Sequence, residues 1–294
     1  MKVAVTGASG SVGSALVPAL REAGHDVLTL VRRTPTAGHE IEWHPDDGRI
    51  DADRLAGVDA VVHLAGETIG QRWSRGARKR ILGSRVDGTG LVAQTIAALE
   101  PRPTVFVQAS GVGFYGLGDE PVTEESPKGA GFAADVVEAW EQAAEPAREA
   151  GIRVVALRKA PIVDAKEGPV GRMRFPFRLG LGGRVGSGQQ WWSWVSLPDA
   201  IRAYLHALEG DLSGPANVVG GAVTNRDFTK ALGRALHRPT IFPLPALAVR
   251  LAFGQMGEEL LLGGQRPVAE RLARAGFAFR DTDLDATLAA ALAS

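Results

Sequence analysis

Seven residues near the start of the chain, Gly7-Ala8-Ser9-Gly10-Ser11-Val12-Gly13, have the types and spacing to hold a diphosphate. They follow the apolar run Val3-Ala4-Val5. They precede Val12, Leu16, Leu20 and Ala23, which recur at helical spacing. A strand that turns through glycines into a helix gathers free backbone N–H groups and the positive end of a helix dipole at one point. Gly7 permits the tight turn, Gly10 lets phosphates approach the backbone, and Gly13 lets the helix lie close to the strand. The spacing is Gly-x-x-Gly-x-x-Gly rather than Gly-x-Gly-x-x-Gly. Its position between a strand and an amphipathic helix supplies the specificity that a glycine triplet alone lacks.

Arg32 and Arg33 are the next residues with a chemical reading. They follow His25–Val31, which reads as a second strand. In a dinucleotide fold the end of this strand faces the adenosine ribose. An acid there would bind a ribose hydroxyl and favour NAD. Two arginines and no acid favour the 2′-phosphate of NADP. One charge-assisted hydrogen bond contributes about 1.5–3 kcal/mol, a tenfold to hundredfold preference. The bland alternative is a solvated basic turn.

Asp59–Gly66 is a buried strand ending in small residues, and Ala65 and Gly66 suit close approach of a cofactor. His63 within it reads as a core histidine. Pro103–Ser110 is another strand, running into Gly111-Val112-Gly113-Phe114-Tyr115-Gly116. Ser110 and Tyr115 therefore stand past the carboxyl end of a strand, where open parallel sheets bind ligands. Lys159 ends the strand Arg153–Arg158 in the same way.

The elements that must position these residues alternate. Helical spacing predicts one helix from Ser11, with Pro18 loosening it, and another over 131–150 with a Phe132, Val136, Val137, Trp140 stripe. Residues 73–100 are helix-rich, although Gly83, Gly88 and Gly90 interrupt the pattern. Close approach to a strand or a ligand would explain them. Arg72, Arg75, Arg78, Lys79 and Arg80 read as a solvated basic face. Strand–helix alternation predicts an α/β fold with a doubly wound parallel sheet. Beyond residue 160 the character changes. Gly168–Gly188 is rich in glycine, arginine and phenylalanine, and Trp191, Trp192 and Trp194 form a cluster that reads as core more readily than as a substrate platform. Ser196 and Thr224 or Asn225 read as helix caps, and Asn217-Val218-Val219 as a strand returning to the sheet.

Composition narrows the function classes. The 294 residues carry 33 basic and 33 acidic side chains, which favours neither nucleic acid nor an anionic membrane as partner. There is no cysteine, so disulfide and thiolate chemistry are excluded. The six histidines show no metal-ligand spacing. No uncharged apolar run is long enough to span a bilayer, and the start has no signal-peptide pattern. A cytoplasmic protein is the expectation, as monomer or homodimer.

These stretches together resemble the extended short-chain dehydrogenase/reductase superfamily. Within it the chain is similar to an atypical, epimerase-like branch with its own C-terminal domain. The likeness rests on the glycine turn, Asp59–Gly66, Gly66-Glu67, Ser84-Arg85-Val86, Ser110–Gly116, Trp140-Glu141, Gly182–Trp194 and Leu262–Arg266 leading to Gly276-Phe277. The resemblance implies a Rossmann domain over residues 1–160, with 195–222 returning to it. A substrate lobe over 161–294 follows, with a helical region from 240. It implies NADP held by Gly7, Ser9, Gly10, Ser11, Val12, Arg32, Leu64, Ala65, Gly66 and Ser110.

The departure is catalytic. The superfamily's Tyr-x-x-x-Lys falls at Ala133 and Val137, which cannot transfer a proton. Ser110, Tyr115 and Lys159 remain as candidates to polarise a carbonyl, and Glu67, Arg85 and Asp135 as further cleft residues. The expected function is an NADP-dependent oxidoreductase or epimerase-like enzyme acting on a small carbonyl or alcohol. The alternative is a noncatalytic NADP(H)-binding sensor or scaffold.

Overall fold

Each short apolar run identified above becomes a strand, and most of them join one sheet. The computed structural model describes residues 1–293. Its first half contains strands Lys2–Thr6 (β1), Asp26–Val31 (β2), Glu40–His44 (β3), Arg49–Ile50 (β4), Ala60–His63 (β5) and Val105–Gly111 (β6). Pro121–Val122 (β7), Arg153–Lys159 (β8), Ile162–Val163 (β9), Trp191–Ser196 (β10), Gly214–Val218 (β11), Gly221–Thr224 (β12) and Arg266–Pro267 (β13) follow. The main sheet has eight strands in the order β11-β8-β6-β5-β1-β2-β3-β4. All its pairings are parallel except β3 with β4. The order reverses between β1 and β5, which creates the switch point where such sheets bind ligands.

Helices cover both faces. Ser11–Glu22 (α1) and Leu197–Glu209 (α7) bury Leu16, Leu20, Ile201, Tyr204 and Leu208 against one side of the sheet. Arg75–Ala97 (α3) buries Val92, Ala93 and Ile96 on the other. Full burial of such a side chain contributes about 1.5–3 kcal/mol. Between α1 and α3 lie the single α-helical turn Ala52–Leu55 (α2) and a 3-10 turn at Pro45–Asp47. α1 runs through Pro18 without ending. Pro18 and Ser14 are exposed, so water can reach the Ser14 carbonyl that loses its partner.

Two expectations are corrected. The glycines of α3 do not interrupt it, because tertiary packing outweighs propensity. Gly88 faces the His63 ring and Trp43, where a Cβ would be in contact at 3.8 and 3.9 Å. The helix expected over 131–150 is two helices, Phe132–Gln142 (α4) and Glu145–Glu149 (α5). Pro146 lies in the first turn of the second, where its missing N–H costs nothing.

Beyond β8, a smaller sheet of order β12-β10-β9 packs with Gly168–Arg178 (α6) and Asn225–Leu236 (α8). Trp192 stacks on Phe228 at 4.5 Å, and Trp194 is 1% exposed. Both indoles are core, as the cluster's composition suggested, whereas Trp191 is half-buried with the Arg266 guanidinium 4.7 Å from its ring centroid. Ser196 and Thr224 cap α7 and α8 by accepting from Asp199 N and Asp227 N. β11 returns to the main sheet beside β8.

Candidate functional site

The switch point brings the glycine turn after β1 next to the chain after β5. Gly7 adopts φ +68°, and a Cβ there would stand 2.9 Å from Ala65 N. Gly13 is more constrained, since a Cβ would lie 2.2 Å from the Gly7 carbonyl oxygen. Thr6 locks the two strand ends together. Its Oγ1 accepts from Leu64 N at 3.1 Å and Ala65 N at 3.2 Å, and its hydroxyl meets His63 Nδ1 at 2.8 Å. With both amides donating to Thr6, the hydroxyl hydrogen goes to His63 Nδ1. His63 is fully buried, and burial, aided by the Arg85 charge, pushes its pKa down to about 3. It is a neutral core histidine.

Ser9 and Gly10 are exposed at the start of α1, and Ser11, Val12, Leu64 and Ala65 are half-buried around the same point. No side chain caps α1 from its own N-cap position. The Ser11 N–H instead donates to the Glu167 carboxylate at 3.2 Å. That contact shows an anion seated on this amide, which is what a diphosphate requires.

The two arginines after β2 differ. Arg33 makes a bidentate pair with Glu40, through Nη2–Oε1 at 2.5 Å and Nη1–Oε2 at 2.9 Å. The Arg33 hydrogen bonds come first in holding Glu40 well below the usual carboxylate range. Arg32 is exposed, and among the described residues no hydrogen bond or ion pair engages it.

The candidate proton donors fall in two groups. Ser110 and Tyr115 join a buried network that sequence reading did not assemble. The Ser110 hydroxyl donates to Glu141 Oε1 at 2.6 Å. Arg158 donates to both oxygens of Glu141 at 2.7 Å, and its guanidinium carbon lies 3.4 Å from the Phe114 ring centroid. The Tyr115 hydroxyl donates to Asn217 Oδ1 at 2.7 Å and accepts from Arg158 Nη1 at 3.2 Å. Burial pushes the Tyr115 phenol up, against the opposing Arg158 charge. Burial disfavours the Arg158 charge, but Glu141 outweighs it and the guanidinium is held above its ordinary value. The available signals were the Trp140-Glu141 pair and the arginine beside Lys159. Only the strand register Ser110↔Arg158 brings them together.

Lys159 stands apart from that network. It is opposite Gly111 in the register, on the other face of β8 from Arg158. Nζ donates to the Tyr204 hydroxyl at 3.0 Å. The side chain keeps a half-buried surface, yet the surrounding protein desolvates its ammonium. Burial, then the Arg85 charge, pushes the pKa down to about 7. Tyr204 is fully buried, and its phenol is pushed up by that burial.

The other cleft candidates are engaged. Arg85 donates to the Glu67 and Ile81 carbonyls at 2.9 and 3.1 Å. Glu67 faces Arg80 at 3.8 Å, and Asp135 pairs with Lys128 at 2.8 Å. At Ala133, in the first turn of α4, a carboxylate from the C-terminal region arrives. Glu259 accepts from Phe132 N at 3.1 Å and Ala133 N at 2.9 Å, capping α4.

The comparisons fit this architecture. Residues 3–220 match the NAD dependent epimerase/dehydratase family, and residues 244–291 match a domain of unknown function, DUF1731. Epimerase family protein ML0860 of Mycobacterium leprae is 43% identical over 290 residues, covering 97% of this chain and 94% of its own. The Homo sapiens epimerase family protein SDR39U1 is 36% identical over 296 residues, covering 98% of each. A crystal structure of human SDR39U1 (isoform 2) with NADPH superposes with a TM-score of 0.90 at 33% identity, covering 100% of both chains. With a glycine turn at the sheet's switch point and a matching C-terminal extension, this chain belongs to the NAD dependent epimerase/dehydratase family.

Proposed function

We propose that this protein binds NADP(H) and uses it to reduce or oxidise a small carbonyl or alcohol substrate, with Lys159 as the proton-transferring group. The observation that carries the catalytic part is Lys159 at the carboxyl end of β8, hydrogen-bonded to Tyr204 and poised near neutrality.

The residues present fit the dinucleotide. The amides at the start of α1 accept an anion, as the Glu167 contact illustrates. Gly7, Ser9, Gly10, Ser11 and Val12 would hold the diphosphate, and Arg32 the 2′-phosphate. Leu64, Ala65 and Gly66 would line the adenosine side. The NADPH in the human SDR39U1 structure supports the choice of nucleotide. When bound, the nucleotide supplies or accepts hydride at the substrate carbon. The Lys159 ammonium gives its proton to the carbonyl oxygen in the reductive direction, and the amine takes it back in the oxidative one. Ser110 remains a cofactor-side residue whose hydroxyl is oriented by Glu141. Tyr115 is a wall residue held by Asn217 and Arg158.

A second reading, a noncatalytic NADP(H) sensor, is favoured by Ala133 and Val137 at the superfamily's catalytic positions. One experiment separates the two. Calorimetry with NADPH and NADP⁺ is followed by absorbance assays of nucleotide consumption over a panel of small aldehydes, ketones and alcohols. Binding with turnover, slowed in Lys159→Met, is expected. Binding without turnover of any substrate would favour the sensor.

A further inference from the structure

Two carboxylates of this chain already touch the first residue of α1. Besides the Ser11 N–H contact with Glu167 Oε2, the Ser11 hydroxyl donates to Asp164 Oδ2 at 2.6 Å. Both acids lie in the segment that joins β9 to α6, more than 150 positions along the chain. Glu167 occupies the N-cap position of α6, yet its side chain makes no capping bond there. Its carboxylate goes to the N-terminus of α1 instead.

The same segment is anchored on its other side. Arg172, in the second turn of α6, donates to the Gly70 carbonyl and to Thr68 Oγ1 at 3.5 Å. Gly70 and Thr68 belong to the loop that follows Leu64–Gly66. Residues 164–172 therefore reach both loops that border the switch point between β1 and β5. Among the described residues, Arg172 hydrogen-bonds only to these neutral oxygens.

A carboxylate and a diphosphate oxygen cannot both hold the Ser11 N–H hydrogen. Both are anions, and like charges at contact distance repel strongly once water is displaced. We propose that residues 164–172 form a strap that gates the dinucleotide site. Glu167 and Asp164 compete with the diphosphate at the start of α1 and leave Ser11 when the cofactor enters. This inference rests on the dinucleotide reading above and adds to it a built-in competitor. A protein whose binding-competent state is only part of its population shows a correspondingly weaker apparent affinity.

The test measures NADPH binding to the full chain by calorimetry and stopped-flow fluorescence, in wild type, Glu167→Gln and Asp164→Asn. Glu167 is exposed, so its neutral isostere does not disturb the core. A carboxylate at a helix N-terminus supports about a two- to fivefold change in equilibrium, so each variant should bind NADPH about two- to fivefold more tightly. The observed binding rate of the wild type should reach a plateau at high NADPH, where strap opening limits it. That plateau should rise in Glu167→Gln. Equal or weaker binding by both variants, with a wild type that binds NADPH, would overturn the strap. A wild type that binds neither NADPH nor NADP⁺ would overturn the dinucleotide reading itself, and the strap with it.

Discussion

Arg158 and Glu141 meet edge to edge beneath the carboxyl end of the sheet, with Nε–Oε1 and Nη2–Oε2 both at 2.7 Å. The side chains are 4% and 12% exposed, so neither charge is well solvated. Such a pair adds little net stability against an apolar replacement, but losing one member strands the other. Glu141→Gln should therefore lower unfolding free energy by about 3 kcal/mol. Urea titration checks it. The double variant Glu141→Leu/Arg158→Met should cost less than the single one. A single variant as stable as wild type would show that Arg158 finds water or another partner.

Two glycine-to-alanine changes should have opposite signs. At Gly13 the new Cβ would be 2.2 Å from Gly7 O and 2.6 Å from Ala8 Cα, so backbone must move. A loss of about 1–3 kcal/mol follows, together with weaker NADPH binding. At Gly90, inside α3, a Cβ meets nothing within 4 Å. There the change should stabilise by about 0.5–1 kcal/mol, through reduced freedom of the unfolded chain. Thermal unfolding of the two variants side by side tests the contrast.

The contrast also shows what sequence could and could not reveal. The turn from Gly7 to Gly13 was legible because its logic is local: strand, glycines, helix. Ser196 and Thr224 were legible as caps for the same reason. α3 was harder, since its glycines oppose helix propensity and only its packing against β3 and β5 explains Gly88. The Glu167–Ser11 and Lys159–Tyr204 contacts were not legible at all. They join residues 156 and 45 positions apart, and only the crossing of the chain over the sheet brings them together. Ser110 was placed by its strand end, but the direction of its hydroxyl depended on Glu141 from the following helix.

His63 predicts an acid-labile fold. Its folded pKa is depressed to about 3, from an ordinary value of 6.5. Between those values the unfolded chain binds a proton and the folded chain does not. Stability is therefore full above pH 6.5 and falls as pH drops toward 3, with a limiting slope of about 1.4 kcal/mol per pH unit from this group. Urea midpoints at pH 7 and pH 5 should show the loss, and His63→Gln should flatten it. An equal slope in the variant would assign the acid sensitivity to the carboxylates instead.

Arg32→Ala should separate NADPH from NADH. Among the described residues Arg32 has no partner just past the end of β2, whereas Arg33 is bound to Glu40. Losing one charge-assisted contact to the 2′-phosphate weakens NADPH binding by about tenfold or more and leaves NADH nearly unchanged. Arg33→Ala should act on the loop through Glu40 and affect both nucleotides alike. Equal losses for NADPH and NADH in Arg32→Ala would mean that the arginine does not read the phosphate.

Lys159 makes the sharpest prediction for turnover. In the reductive direction the donor must be protonated, and its pKa stands at about 7. The rate should therefore fall as pH rises through that value. In the oxidative direction the amine must be free, so the rate should rise over the same interval. Lys159→Arg supplies a cation that cannot release its proton, so the limb near pH 7 should vanish in both directions. Lys159→Met should lower turnover by about 10²–10⁴-fold while NADPH affinity is kept. Tyr204→Phe removes the phenol oxygen that accepts from Nζ at 3.0 Å. The ammonium, with one fewer acceptor, loses its proton more readily, so the limb should move to lower pH. A pH profile that is the same in wild type, Lys159→Arg and Tyr204→Phe would show that the proton comes from water or the substrate itself.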